Sequence, residues 1–94
     1  MTEVVTIFFD DAMKYGSDGA IFLAVCREEF EKRRITYGIG DYCPMSLEDW
    51  QECFPFWKIS KIHTLIAMMK KEGIIHEFTC RKVSENPCYE FVEQ

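Results

Sequence analysis

The side chains with which this chain could do covalent or metal chemistry are two histidines, His63 and His76, and five cysteines, Cys26, Cys43, Cys53, Cys80 and Cys88. No two cysteines have Cys-x-x-Cys spacing, and a zinc site would normally show such paired ligands, so zinc is not indicated. A cysteine–histidine nucleophile needs the two groups within hydrogen-bond reach. His63 falls in a helical run and His76 at the start of a strand-like one, which gives no reason to bring either to a thiol. An odd cysteine count also argues against a secreted disulfide framework. The thiols are expected to be reduced, most of them packed as small apolar groups, as in a cytoplasmic protein. The expectation is no catalytic residue, no metal and no cofactor.

Binding chemistry is better supplied. The chain has a formal net charge of −5 over 94 residues, but the charge is segregated. Residues 1–57 carry 5 basic and 11 acidic side chains, residues 58–82 carry 6 and 2, and residues 83–94 carry none and 3. The positive block comprises Lys58, Lys61, Lys70, Lys71, Arg81 and Lys82. Cations gathered on one segment of an acidic chain can neutralise phosphates, although scattered lysines also serve as an ordinary solvated helix face. The acidic blocks, with Asp10, Asp11, Asp18, Glu28, Glu29 and Glu31, could instead occupy a basic nucleic-acid channel of another protein.

The elements that position these groups follow from periodicity and punctuation. Ninety-four residues, 48% hydrophobic and 15% aromatic, fit a single domain over 1–94 with one modest core and no roomy catalytic cleft. No segment reaches the ~20 apolar residues of a membrane span, and the Met-Thr-Glu start lacks the basic region of a secretory signal. "VVTIFFDDAMKYG" (4–16) reads as a short first helix, with a strand as the competitor because β-branched residues crowd its start. Ser17 and Asp18 are suitable N-caps for "GAIFLAVCREEFEKRR", almost wholly apolar from Ala20 to Cys26 and then amphipathic around Phe30, the pattern of a central helix buried on most sides. "ITYGIGDYCPM" reads as a loop with a short strand.

"SLEDWQECF" opens on Ser46 with Asp49 three residues on, a weaker capping box. Leu47, Trp50 and Phe54 then share one face, leaving Glu48, Asp49 and Glu52 outside. Pro55 limits this helix. The next runs from about Lys58 to Glu72, with Gly73 in the C-cap position. Ile59, Ile62, Leu65, Ile66 and Met69 form its core side. Its outward ridge is Ser60, Thr64, Ala67 and Lys71, with His63, Lys61 and Met68 beside it. The aromatics Trp50, Phe54, Phe56 and Trp57 around the proline are expected in the core hinge rather than on a stacking platform. "IIHEFTCRKV", "SENP" and "CYEFVEQ" alternate and turn as a hairpin, residues 74–80 pairing with 88–92. Helices followed by a hairpin give an α+β fold in the order of a winged helix-turn-helix, and a short strand near Cys43 would add a third strand to the wing.

"MSLEDWQECFPFWKISKIHTLIAMMKKEGII" resembles the winged-helix domain at the N-terminus of phage replication initiator and replisome-organiser proteins. The residues that carry the likeness are Met45-Ser46, Asp49-Trp50-Gln51, Phe54-Pro55-Phe56-Trp57, Ser60, Ile62, Lys70-Lys71 and Gly73-Ile74-Ile75. "GAIFLAVC" and "YEFV" extend it over most of residues 16–92. The resemblance implies duplex DNA as partner, in a bacterial host's cytoplasm. Members commonly carry arginine or another hydrogen-bonding residue where Thr64 and Ala67 stand, and they continue into a second replication domain, whereas this chain stops at Gln94.

Two readings follow. In the first, Lys58, Ser60, Lys61, His63, Thr64, Lys71, Arg81 and Lys82 hold duplex DNA, mainly through phosphates, in replication or regulation. Bidentate base reading favours Arg, Lys, Asn and Gln, which the outward ridge lacks apart from Lys71. In the second, Thr64, Ala67 and Met68, with Glu28 and Glu29, contact a host protein complex that handles nucleic acid, such as a CRISPR effector, and inhibit it as an acidic mimic. No membrane partner is expected, and a homodimer stays open.

Overall fold

Gly16 divides the first helical stretch. In the computed structural model, which describes residues 6–92, α1 runs Phe9–Arg33 but has φ 77° and ψ 173° at Gly16, a region open essentially to glycine alone. Arg27 Nη2 lies 2.8 Å from Asp11 Oδ2, 16 residues away in sequence. A continuous helix would separate such residues by roughly 24 Å, so the chain folds back at Gly16. The short first helix, with a fresh start after it, is as expected, and the strand alternative fails over the described part of the run; Val4 and Val5 lie outside the described residues. Ala20, Phe22, Leu23, Ala24, Cys26 and Phe30 are buried, as the apolar run predicts.

The chain divides into two compact units, Met1–Lys32 and Arg33–Gln94. The second begins with a hairpin where a loop with one strand was expected. β1 (Ile35–Tyr37) pairs antiparallel with β2 (Gly40–Tyr42). Gly38, at φ 63°, is the first residue of the two-residue turn, the place where a type II′ turn needs glycine. The spacing of the two glycines, which reads as loop punctuation, is the spacing of a tight hairpin.

Two further helices and a second hairpin complete this unit and hold the positive block. α2 (Leu47–Cys53) starts with the anticipated capping box: Ser46 Oγ accepts from the Asp49 amide at 3.1 Å, and Asp49 Oδ2 accepts from the Ser46 amide at 2.9 Å. α3 (Ile59–Lys71) follows after Pro55 and closes at Gly73, which has φ 73°. β3 (Ile75–Phe78) and β4 (Cys88–Phe91) then pair antiparallel, with Phe78 opposite Cys88. The Val92 amide extends the ladder to Ile74 at 2.8 Å. The strand stops at Phe78, short of the expected residue 80, because the chain turns there: the amides of Val83 and Ser84 both donate to the Cys80 carbonyl. On the other side of β4, Tyr89 N donates to Cys43 O and Met45 N to Pro87 O, each at 3.0 Å. The segment near Cys43 therefore does flank the closing hairpin, as a bridge at Pro44 rather than a full strand.

The core of this unit is built from Met45, Trp50, Phe54, Ile62, Leu65, Ile66, Met69 and Ile75, all at most 8% exposed, with Cys43, Cys53, Cys88 and Tyr89 packed among the buried residues. Four side chains are less buried than their pattern predicts. Leu47 is 59% exposed, because as the first residue of α2 it precedes the buried face that Trp50 begins. Phe56 is 61% exposed, and Trp57 is half-buried. Ile59 is also only half-buried. The five cysteines are free, and Cys80 alone among them is not buried. No helix of the described residues is long and apolar enough to cross a membrane. The architecture is thus small α+β, with helices and two antiparallel hairpins.

Candidate nucleic-acid interface

Burying Ile62, Leu65, Ile66 and Met69 fixes the rotation of α3, since residues three and four apart share a face. Ser60, Lys61, His63, Thr64, Ala67 and Lys71 are consequently exposed, with Lys58 exposed at the N-cap. Met68, expected as an exposed thioether, is half-buried. Thr64 spends its hydroxyl locally, donating to the Ser60 carbonyl one turn back at 3.0 Å. Lys61 Nζ sits 4.8 Å from the Trp57 ring centroid, close enough for a cation–π contact.

Arg81 and Lys82 are exposed too, but in the turn beyond β3 rather than on that strand. The turn begins at the Cys80 carbonyl described above, so both side chains are carried on the connection between β3 and β4. His76 is more exposed than its alternating pattern suggests and meets Glu90 at 3.1 Å across the strand pair.

Of the three acids that α2 leaves outside, two are held by a cation of the same unit. Arg33, the first residue of this unit, donates Nη1 to Asp49 Oδ1 at 3.1 Å and Nη2 to Glu52 Oε2 at 3.3 Å. Asp49 also closes the capping box. The Ser46 amide holds its carboxyl below the ordinary range, burial works against this, and Arg33 reinforces it. Glu48 is exposed.

Gln51 organises the connection between α2 and α3. Its side-chain amide donates to the carbonyls of Phe54 at 3.0 Å and Trp57 at 2.7 Å, while the Trp57 amide donates to the Phe54 carbonyl at 3.1 Å. This is a β-turn with Pro55 at its second position, where proline presets φ. It explains why Phe56 points outward, at the turn's third position.

A cleft of about 390 Å³ opens on the other flank of α3, lined by Met45, Trp50, Ala67, Lys70, Glu77 and Tyr89 among others. Its floor is aromatic: Trp50 meets Tyr89 edge-on at 5.1 Å. Three of its polar side chains are joined to one another. Tyr89 donates to Glu77 Oε1 at 2.7 Å, and Lys70 Nζ lies 3.5 Å from Glu77 Oε2.

The sequence-predicted groups therefore separate. Lys58, Ser60, Lys61, His63, Thr64 and Lys71 lie on α3 and its cap, and Arg81 and Lys82 on the β3–β4 turn. Of the alternative set, Thr64, Ala67 and Met68 are on α3, whereas exposed Glu28 and half-buried Glu29 belong to the first unit. Sequence reasoning missed Gln51 as the clamp and Phe56 as a surface ring. The Pro-x position after a helix end could have located the ring, because proline at the second turn position leaves the next side chain at the tip. Among the described residues, no three His, Cys, Asp or Glu side chains gather as a metal ion would need.

Comparison of the chain with protein-family models, with curated proteins and with solved structures gives no match.

Proposed function

We propose that residues 33–94 form a winged helix-turn-helix that binds duplex DNA mainly through phosphates, with α2 and α3 as the helix pair and β3–β4 as the wing. The observation that carries the reading is the disposition of five exposed cations: Lys58, Lys61 and Lys71 along α3, and Arg81 and Lys82 on the wing turn. The likeness of residues 45–75 to phage initiator domains suggests a replication or regulatory setting in a phage or mobile element. Each neutralised phosphate releases condensed counterion, so log K falls with log salt by about 0.9 per contact. Five contacts set the steepest slope at about −4.5. The test is titration of a duplex at several salt concentrations. Lys61→Ala or Arg81→Ala should flatten the slope by about one, similarly on any duplex sequence. Absence of binding near ~50 mM salt, where electrostatic attraction is generous, removes this reading.

The cleft beside α3 favours a second reading, an acidic protein-binding winged helix that inhibits a host nucleic-acid machine. Its aromatic floor and the exposed Leu47 at its edge suit an apolar side chain of a partner. Ala67→Arg separates the two. It adds a cation beside the cleft, so DNA affinity should hold or rise, whereas a partner seated in the cleft should be displaced.

A further inference from the structure

The α2–α3 turn exposes a large aromatic ring that the core does not use. Phe56 is 61% exposed, above a fully buried Phe54. Its position is fixed all the same. Pro55 presets the turn, Gln51 clamps both of its ends, and Phe56 stands edge-on to Phe54 (6.2 Å, 83°) and to Trp57 (5.1 Å, 71°). Trp57 in turn stacks on Phe54 at 5.1 Å and 13°. A ring held this way loses little conformational freedom when something packs on it, which is the condition for a preorganised stacking surface.

Cations flank it. Lys58 follows Trp57 directly and is exposed, and Lys61 Nζ lies over the Trp57 ring at 4.8 Å. Aromatic rings beside lysines complement a chain that alternates flat bases with phosphates. Stacking of that kind tolerates any sequence, because every base has a π-face. An apolar protein segment would use the ring but not the cations. We propose that Phe56, braced by Trp57 and flanked by Lys58 and Lys61, forms a stacking site for unpaired nucleotides, such as a single-stranded overhang next to a duplex. The site rests on the nucleic-acid reading above but engages single strands, which that reading does not require.

Three probes test it: a blunt duplex, the same duplex with a short oligo-dT overhang, and oligo-dT alone. Trp57 emission should be quenched by the overhang and not by the blunt duplex, with buried Trp50 (2% exposed) as a steady background. The overhang should tighten binding by roughly tenfold, the order expected of one stacked base. Phe56→Ala should abolish that gain while leaving blunt-duplex affinity and its salt slope unchanged, and Phe56→Trp should restore it. A thermal melt of Phe56→Ala close to the parent's shows that the fold is intact. Equal binding of blunt and overhang probes, or equal weakening of both by Phe56→Ala, overturns the site and leaves the ring to a protein contact. Phe56-dependent binding of oligo-dT without blunt-duplex binding upholds the site and removes the duplex reading. Binding of none of the three probes removes both.

Discussion

Tyr89 donates its hydroxyl to Glu77 Oε1 at 2.7 Å, and the strand register sets the two residues directly opposite one another. Burial first, and then the Glu77 hydrogen bond and charge, push the hydroxyl well above its ordinary value of 10.0. Tyr89→Phe keeps the ring against Trp50 and removes the donor, so it should cost about 1.5–3 kcal/mol, the usual scale for a hydrogen bond to a charged group. The pH dependence has a definite sign. A raised folded value means the stabilisation is complete below 10 and is lost as pH rises beyond it. The gap between parent and Tyr89→Phe should therefore shrink in alkaline solution. Urea melts at neutral and alkaline pH check both the size and the trend.

The capping box at Ser46 and Asp49 supports a second prediction, with the opposite pH trend. Ser46→Ala should destabilise by about 1 kcal/mol, because it leaves the Asp49 amide without its acceptor. The Ser46 amide holds the Asp49 carboxyl below its ordinary value of 3.8. A depressed carboxylate contributes stability that is complete above the unfolded value and is lost as pH falls through the folded one. Asp49→Asn should thus be destabilising at neutral pH and approach the parent as pH falls below the ordinary carboxylate value of 3.8. Melts that stay parallel down to acid pH would show that Asp49 is not ionically engaged.

Much of this arrangement could be read from residue order, for physical reasons that also mark where reading stops. Ser46 and Asp49 lie three apart, and a cap is a local interaction, so the start of α2 was visible. Gly73 closes α3 with φ 73° for the same reason, since the backbone conformation there depends on one residue. Leu47 is apolar and at helical spacing from Trp50, and Phe56 is an aromatic beside the proline of a helix–helix turn, so both read as core, but only the tertiary arrangement decides which apolar group reaches the interior. The Arg33 contacts to Asp49 and Glu52, 16 and 19 residues on, have no local signature. The cleft beside α3 was likewise invisible, since it is assembled from α2, α3 and the closing hairpin together.

Trp50 sits where these elements meet. It is 2% exposed, stacks on Phe54 at 6.4 Å and meets Tyr89 edge-on at 5.1 Å. Trp50→Ala should cost roughly 3–5 kcal/mol, through lost transfer energy and the cavity left behind. A small domain has little more than that in total, so the variant should lose its cooperative urea transition at room temperature. A transition coincident with the parent's would show that the ring contributes nothing to the core.

The outward ridge of α3 makes the last prediction, which concerns specificity. Thr64 donates its hydroxyl to the Ser60 carbonyl at 3.0 Å, so the one proton it could offer to a base acceptor is already committed one turn back. Ala67 offers only a methyl group. Neither supplies the bidentate contact that is worth roughly 1–3 kcal/mol of discrimination between bases. Thr64→Ala should therefore leave duplex affinity, salt slope and sequence preference unchanged. Lys71→Ala, on the same ridge, should weaken binding to every duplex alike and flatten the salt slope by about one. Competition between unrelated duplexes, run with both variants, distinguishes the two contributions. If Thr64→Ala alters the ranking of the duplexes, the hydroxyl exchanges its intrahelical bond for a base contact on binding, and the ridge reads sequence after all.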